Sequence, residues 1–135
     1  MTVGPLIPLI PCIPRILVVD DEHIIADSLA MILQQQGYSA QAVYSGEEAV
    51  VAAATHAPDV VISDILMGEM NGIEAVAKIR EFLPDCQVLL FSGQPGIVDM
   101  LAQARQKDDS FEIFPKPIHP DVLVELIRSR DRKPH

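Results

Sequence analysis

The chain has 135 residues, of which 49% are hydrophobic, and its 10 Lys and Arg against 19 Asp and Glu leave a net charge of −9. That length fits one domain with a real core and leaves no room for a second effector domain of ordinary size. An acidic surface repels nucleic-acid phosphates and anionic membranes, so direct nucleic-acid binding by simple electrostatics is disfavoured, while cations, basic partners and a regulated phosphate remain. Cys12 and Cys86 are far apart with no CxxC spacing, and His23, His56, His119 and His135 are scattered, so neither a disulfide framework nor a zinc site is indicated.

Residues 1–14 are apolar but carry no Lys or Arg, and Pro5, Pro8, Pro11 and Pro14 recur with period three. A signal-peptide core does not take that pattern. It matches polyproline II, with Ile7, Ile10 and Ile13 along one side, and reads as a leader that need not fold. No later stretch approaches the roughly 18 to 20 apolar residues of a membrane helix, so the chain reads as soluble and cytoplasmic, without membrane insertion.

From Arg15 the pattern is regular. Ile16-Leu17-Val18-Val19 is a short, wholly apolar run ended by two acids, as in a strand buried on both faces. Asp20 or Asp21 can cap a helix that Gly37 stops, with Ile25, Leu29, Ile32 and Leu33 as its buried stripe. Tyr38 to Val43 is a weaker strand, and Ser45-Gly46-Glu47-Glu48 is the capping box of an alanine-rich helix that Pro58 ends. Val60-Val61-Ile62-Ser63 repeats the buried strand and stops at Asp64. A loop with Gly68 and Gly72 leads to a third helix with Ile73, Val76 and Ala77 on one face. Gln87 to Phe91 is the fourth strand, followed by Ser92-Gly93. Ile97, Met100, Leu101 and Ala104 mark a fourth helix, and Phe111 to Phe114 a fifth strand before Lys116-Pro117. Pro120 opens the last helix, with Leu123, Leu126 and Ile127 inward.

Strands alternating with helices predict an α/β fold, a doubly wound five-stranded parallel sheet with helices on both faces. Ligands of such sheets sit beyond the carboxyl ends of the strands. Those ends carry Asp20, Asp21, Asp64, Ser92 and Lys116. Three carboxylates about 5 Å apart repel by roughly 3 kcal/mol per pair at an effective dielectric near 20, so the set calls for a compensating cation. Oxygen ligands favour a hard ion such as Mg²⁺, and Lys116 and Ser92 add a positive charge and a hydroxyl donor. These are the parts of phosphoryl transfer, with one carboxylate able to act as nucleophile. His23, beside the acids, reads as a solvent-facing residue of a first helical turn.

The set Val18-Val19-Asp20-Asp21-Glu22, Val61-Ile62-Ser63-Asp64-Ile65-Leu66-Met67, Asn71-Gly72, Ser92-Gly93 and Lys116-Pro117 resembles the receiver domain of two-component response regulators. The resemblance implies a flavodoxin-like strand order 2-1-3-4-5, with the receiver over 15–128 and a polar tail over 129–135. It also implies that Asp64 is the phosphoacceptor, served by a sensor histidine kinase or phosphotransfer protein. Asp21, Asp64 and the Leu66 carbonyl would bind Mg²⁺, with Asp20 acting through water; Ser92 and Lys116 would contact the phosphoryl group, and the bond to Pro117 would be cis. Output would be altered binding to an effector protein rather than turnover. Gly68 stands where the family usually has proline, and Ile113 where it usually has an aromatic switch residue, which points to the Gly93 to Gly96 loop as the moving part. Two alternatives stand beside this reading: a pseudo-receiver that is never phosphorylated, and a small Mg²⁺-dependent aspartyl-phosphate hydrolase, whose second acid is replaced here by Leu66.

Overall fold

The computed structural model describes residues 13–65, 72–93, 111–116 and 119–131. Five parallel strands form one sheet: β1 (Arg15–Val19), β2 (Ser39–Val43), β3 (Val60–Asp64), β4 (Gln87–Ser92) and β5 (Phe111–Pro115), in the order β2-β1-β3-β4-β5. The predicted order is therefore observed. Four helices lie among the described residues: α1 (His23–Gln35), α2 (Gly46–His56), α3 (Gly72–Phe82) and α4 (Pro120–Asp131). The fourth helix expected around Ile97 to Ala104, like the leader up to Cys12, lies outside the described residues. None of the described helices is long and apolar enough to cross a membrane.

The central strands are apolar throughout because both faces are covered. In β1, Leu17 and Val19 join Val61, Val88 and Leu90 under α2 and α3, whereas Ile16 and Val18 join Ile62, Leu89 and Phe91 under α1 and α4. Period-two alternation thus divides each strand between two cores. The edge strand β2 is less buried, as its weaker apolar pattern anticipated. At the other side Pro115, which has no N–H to give a ladder, ends β5, the outermost strand described.

Helix ends follow local chemistry with one correction. Ser45 caps α2 by accepting the Glu48 N–H at 3.0 Å, as the capping box predicts. Gly37 follows α1 with φ +97°, the left-handed conformation a glycine stop supplies. Neither Asp20 nor Asp21 is the cap of α1, however. The cap position is Glu22, with no side-chain cap bond, and the Asp20 carboxylate, two residues earlier, instead accepts the Glu22 N–H at 3.0 Å.

The buried stripes also shift. In α1 the buried residues are Ala26, Ala30 and Leu33, while Leu29 and Ile32 pack at the margin and Ile25 is exposed. In α3 they are Gly72, Ala75, Val76 and Ile79, with Ala77 outside and Ile73 half-buried. Alanines let both helices lie close to the sheet, and the larger residues cover the rim. In α4, Leu123 and Ile127 point inward as expected, joined by Val124, with Leu126 half-buried. That helix continues to Asp131, past Arg128.

Candidate functional site

Strand register builds the site. Val19 pairs with Ser63, so the next residues, Asp20 and Asp64, are neighbours at the carboxyl end of adjacent strands. Asp64 pairs with Phe91, which brings Ser92 one step beyond it, and Ser92 pairs with Pro115, which brings Lys116 one step further. Two backbone bonds extend the ladders past their ends: the Asp20 N–H donates to the Val43 carbonyl (3.2 Å), and the Lys116 N–H to the Ser92 carbonyl (2.8 Å). Asp20, Asp64, Ser92 and Lys116 are therefore held by main-chain pairing, whereas Asp21 lies in the bend before α1.

Asp20, Asp21 and Asp64 each offer a carboxylate oxygen within 4.8 Å of the others. Asp20 is buried, Asp64 half-buried and Asp21 exposed. Lys116 bridges two of them, its Nζ lying 2.9 Å from Asp64 Oδ2 and 3.5 Å from Asp20 Oδ2. Ser92 is buried beside them, 2% exposed. Asp20, Asp21, Asp64 and Lys116 thus converge, and strand register sets Ser92 on the same edge. Leu66, expected to add its carbonyl, and Pro117 lie outside the described residues, as do Gly68, Pro95 and Gly96.

Burial raises the Asp20 pKa above its ordinary value, against the pull of the Glu22 N–H and Lys116, and the charges of Asp64 and Asp21 push the same way. For Lys116 burial alone would lower the pKa, but its hydrogen bond to Asp64 and the charges of Asp64 and Asp20 outweigh it and the net shift is upward. Three acids against one ammonium leave a net negative site. Its donors are all hard carboxylate oxygens, and no His or Cys joins the cluster among the described residues. That donor set fits Mg²⁺, which takes one or two carboxylates and keeps waters or phosphate oxygens in its other positions.

A cleft of about 340 Å³ opens beside the acids, with Asp20, Asp64 and Lys116 at its polar end and Ile24, Ile25 and Leu29 of α1 along its wall. His23 is exposed, as expected, but its ring is not free in solvent: it stacks on Tyr44, with centroids 3.9 Å apart. Ile113 is half-buried against the core under α2 and α3, while Phe114 faces the other way and stacks on Phe91 at 5.5 Å.

Two residues that the motif set contains without a stated role also belong to the site. Ser63, read only as a strand residue, is 1% exposed, and its hydroxyl donates to the Asp64 carbonyl at 2.9 Å. Gly72, read as part of a loop, is the first residue of α3, and a Cβ built on it would overlap the same carbonyl oxygen. A serine immediately before the strand-end acid was the available signal.

The family model described as the response regulator receiver domain matches residues 16–128. The probable transcriptional regulatory protein TcrX of Mycobacterium tuberculosis is 32% identical over 108 residues, which are 80% of this chain and 46% of that protein. The chain spans about half the length of the curated relatives it matches. Among solved structures it is similar to the chemotaxis protein CheY4 of Vibrio cholerae, with TM-score 0.79 and 25% identity, covering 87% of this chain and 98% of that one. It is also similar to the CheX–CheY–BeF3–Mg²⁺ complex of Borrelia burgdorferi, with TM-score 0.72 and 26% identity, covering 89% of this chain and 90% of that one.

Proposed function

The chain belongs to the response regulator receiver domain family, and from that premise we propose that Asp64 accepts a phosphoryl group in a Mg²⁺-dependent reaction that changes which protein the domain binds. The observation that carries the proposal is the row of side chains across the ends of four neighbouring strands, with Lys116 Nζ 2.9 Å from Asp64 Oδ2 and the three carboxylates within 4.8 Å. The donor is a phosphohistidine of a sensor kinase or phosphotransfer protein. Transfer breaks its phosphorus–nitrogen bond and forms a phosphorus–oxygen bond to Asp64. The electron pair of the broken bond stays on the imidazole, which leaves neutral when its second nitrogen is protonated.

Asp21 and Asp64, with the Leu66 carbonyl and with Asp20 through water, would hold Mg²⁺, which when bound neutralises charge on the phosphoryl oxygens. The remaining work belongs to the chain. β3 holds the Asp64 carboxylate at the strand end, ready for in-line attack. Lys116, paired with Asp64 in the free protein, exchanges that carboxylate oxygen for a phosphoryl oxygen. Ser92, already buried at the end of β4, offers its hydroxyl to another. Catalysis of this kind is positioning and charge neutralisation, and it ends with the phosphoryl group on the protein itself. A cytoplasmic location goes with this reading, as does output through an effector protein rather than DNA contact, given the charge of −9.

Incubation with acetyl phosphate tests it. With Mg²⁺ the intact mass should rise by one phosphoryl group, and chelation should prevent the rise. An unchanged mass with Mg²⁺ present would favour a pseudo-receiver that signals by binding alone.

A further inference from the structure

We propose that Ser63 is a positioning residue for the phosphoacceptor, with Gly72 as the surface it is set against. The inference rests on the phosphoacceptor reading of Asp64 and adds the device that holds it. The peptide unit joining Asp64 to Ile65 is fixed at both ends. Its N–H donates to the Phe91 carbonyl at 3.0 Å, and its carbonyl accepts the Ser63 hydroxyl at 2.9 Å. Ser63 is buried, so that bond is not shared with bulk water.

The first turn of α3 closes on the same point. The Gly72 N–H donates to the Ile65 carbonyl at 2.8 Å, which ties the two ends of the segment 65–72 together. A Cβ on Gly72 would overlap the Asp64 carbonyl oxygen and lie 3.0 Å from Ser63 Oγ. Only glycine lets α3 seat there with Ser63 in place. Loss of the Ser63 bond would loosen the backbone that carries the Asp64 Cα, and with it the aim of the carboxylate at Lys116. Ser63 thus acts through Asp64 and touches no reacting atom.

The test compares the wild type with Ser63→Ala, Ser63→Thr and Gly72→Ala, at a temperature well below every melting point. Two quantities are read: the phosphorylation rate constant with acetyl phosphate at saturating Mg²⁺, and the Mg²⁺ dissociation constant by calorimetry. Ser63→Ala should slow phosphorylation about five- to tenfold and weaken Mg²⁺ about threefold, the size expected when one orienting hydrogen bond is lost. Ser63→Thr, which keeps the hydroxyl, should recover most of the rate. Gly72→Ala should also slow the reaction, and in the double variant with Ser63→Ala the effects should not multiply, since both act on one carbonyl. A purely structural role lowers the melting temperature of Ser63→Ala and leaves both constants at wild-type values, which would overturn the proposal. If the wild type takes no phosphoryl group, the phosphoacceptor reading fails instead. The Mg²⁺ constants then decide about Ser63 by themselves: a weakened Ser63→Ala supports positioning of Asp64, and an unchanged one rejects it.

Discussion

Replacing Asp20 by asparagine should make the metal-free protein more stable and the Mg²⁺-loaded protein less able to react. Asp20 is 4% exposed and sits within 4.8 Å of two other carboxylates. At an effective dielectric near 20, a like charge at that distance costs about 3.5 kcal/mol. Repulsion from half-buried Asp64 counts almost in full, and that from exposed Asp21 is largely screened. Against this stands the attraction of Lys116 at 3.5 Å, about 4.7 kcal/mol on the same scale. These charge effects nearly cancel, and the burial of Asp20 tips the balance against its ionised form, in keeping with its raised pKa. Asparagine keeps an Oδ1 to accept the Glu22 N–H, a bond of 3.0 Å in the native site. The net gain should be about 1 kcal/mol, or roughly 3 to 5 °C in melting temperature for a domain of this size.

The pH dependence has a definite sign. A carboxyl whose folded pKa is raised binds its proton more tightly in the folded state, so its ionisation costs stability as pH rises from the unfolded value near 3.8 through the folded value. The advantage of Asp20→Asn should therefore be full at pH 7 and shrink towards zero as pH falls through that window. Thermal melts of both proteins with chelator and with Mg²⁺, across pH, provide the assay. With Mg²⁺ the order should reverse, because the wild type gains binding energy that the variant lacks. Equal or lower metal-free stability of Asp20→Asn at pH 7 would refute the reasoning, since it would mean that Lys116 already compensates the cluster.

Ala57 ends α2 in the left-handed region at φ +47°, so Ala57→Gly should raise stability by about 0.5 to 1 kcal/mol in denaturant melts. Burial pushes the Cys86 thiol up to about 11; it should resist alkylation in the native protein at pH 8 and react only on unfolding, as mass spectrometry under graded denaturant would report. Deleting residues 1–13 should leave melting temperature and phosphorylation unchanged, because among the described residues the first backbone tie is the Pro14 carbonyl accepting the Ser39 N–H at 3.1 Å; a drop in either would mean that the leader packs on the domain.

The strand ends were legible because each central strand is a short, fully apolar run stopped by a polar residue, a pattern that buried parallel strands impose on both faces. Asp20, Asp64, Ser92 and Lys116 could therefore be assigned to one edge from the sequence. The helix faces were less legible. In α1 both Ile25-Leu29-Ile32 and Ala26-Ala30-Leu33 satisfy helical spacing. The larger side chains suggested the first set together with Leu33, and Leu33 is indeed buried, but close approach to the sheet put Ala26 and Ala30 beside it in place of Ile25, Leu29 and Ile32. The α1 cap was misassigned because Asp20 has two possible local partners, and the strand-end position drew its carboxylate to Glu22 N–H and Lys116. Ser63 and Gly72 were legible only as members of the motif set, and their contact was not, because it depends on how α3 returns to the end of β3, with no local periodicity to reveal it.

The most direct measurement of the central claim is the identity of the modified side chain. After incubation with acetyl phosphate and Mg²⁺, reduction of the acyl phosphate with borohydride and peptide mass mapping should find one altered residue, Asp64, and none in Asp64→Ala. Modification at Asp20, Asp21 or a residue outside the cluster, or label that persists in Asp64→Ala, would contradict the account.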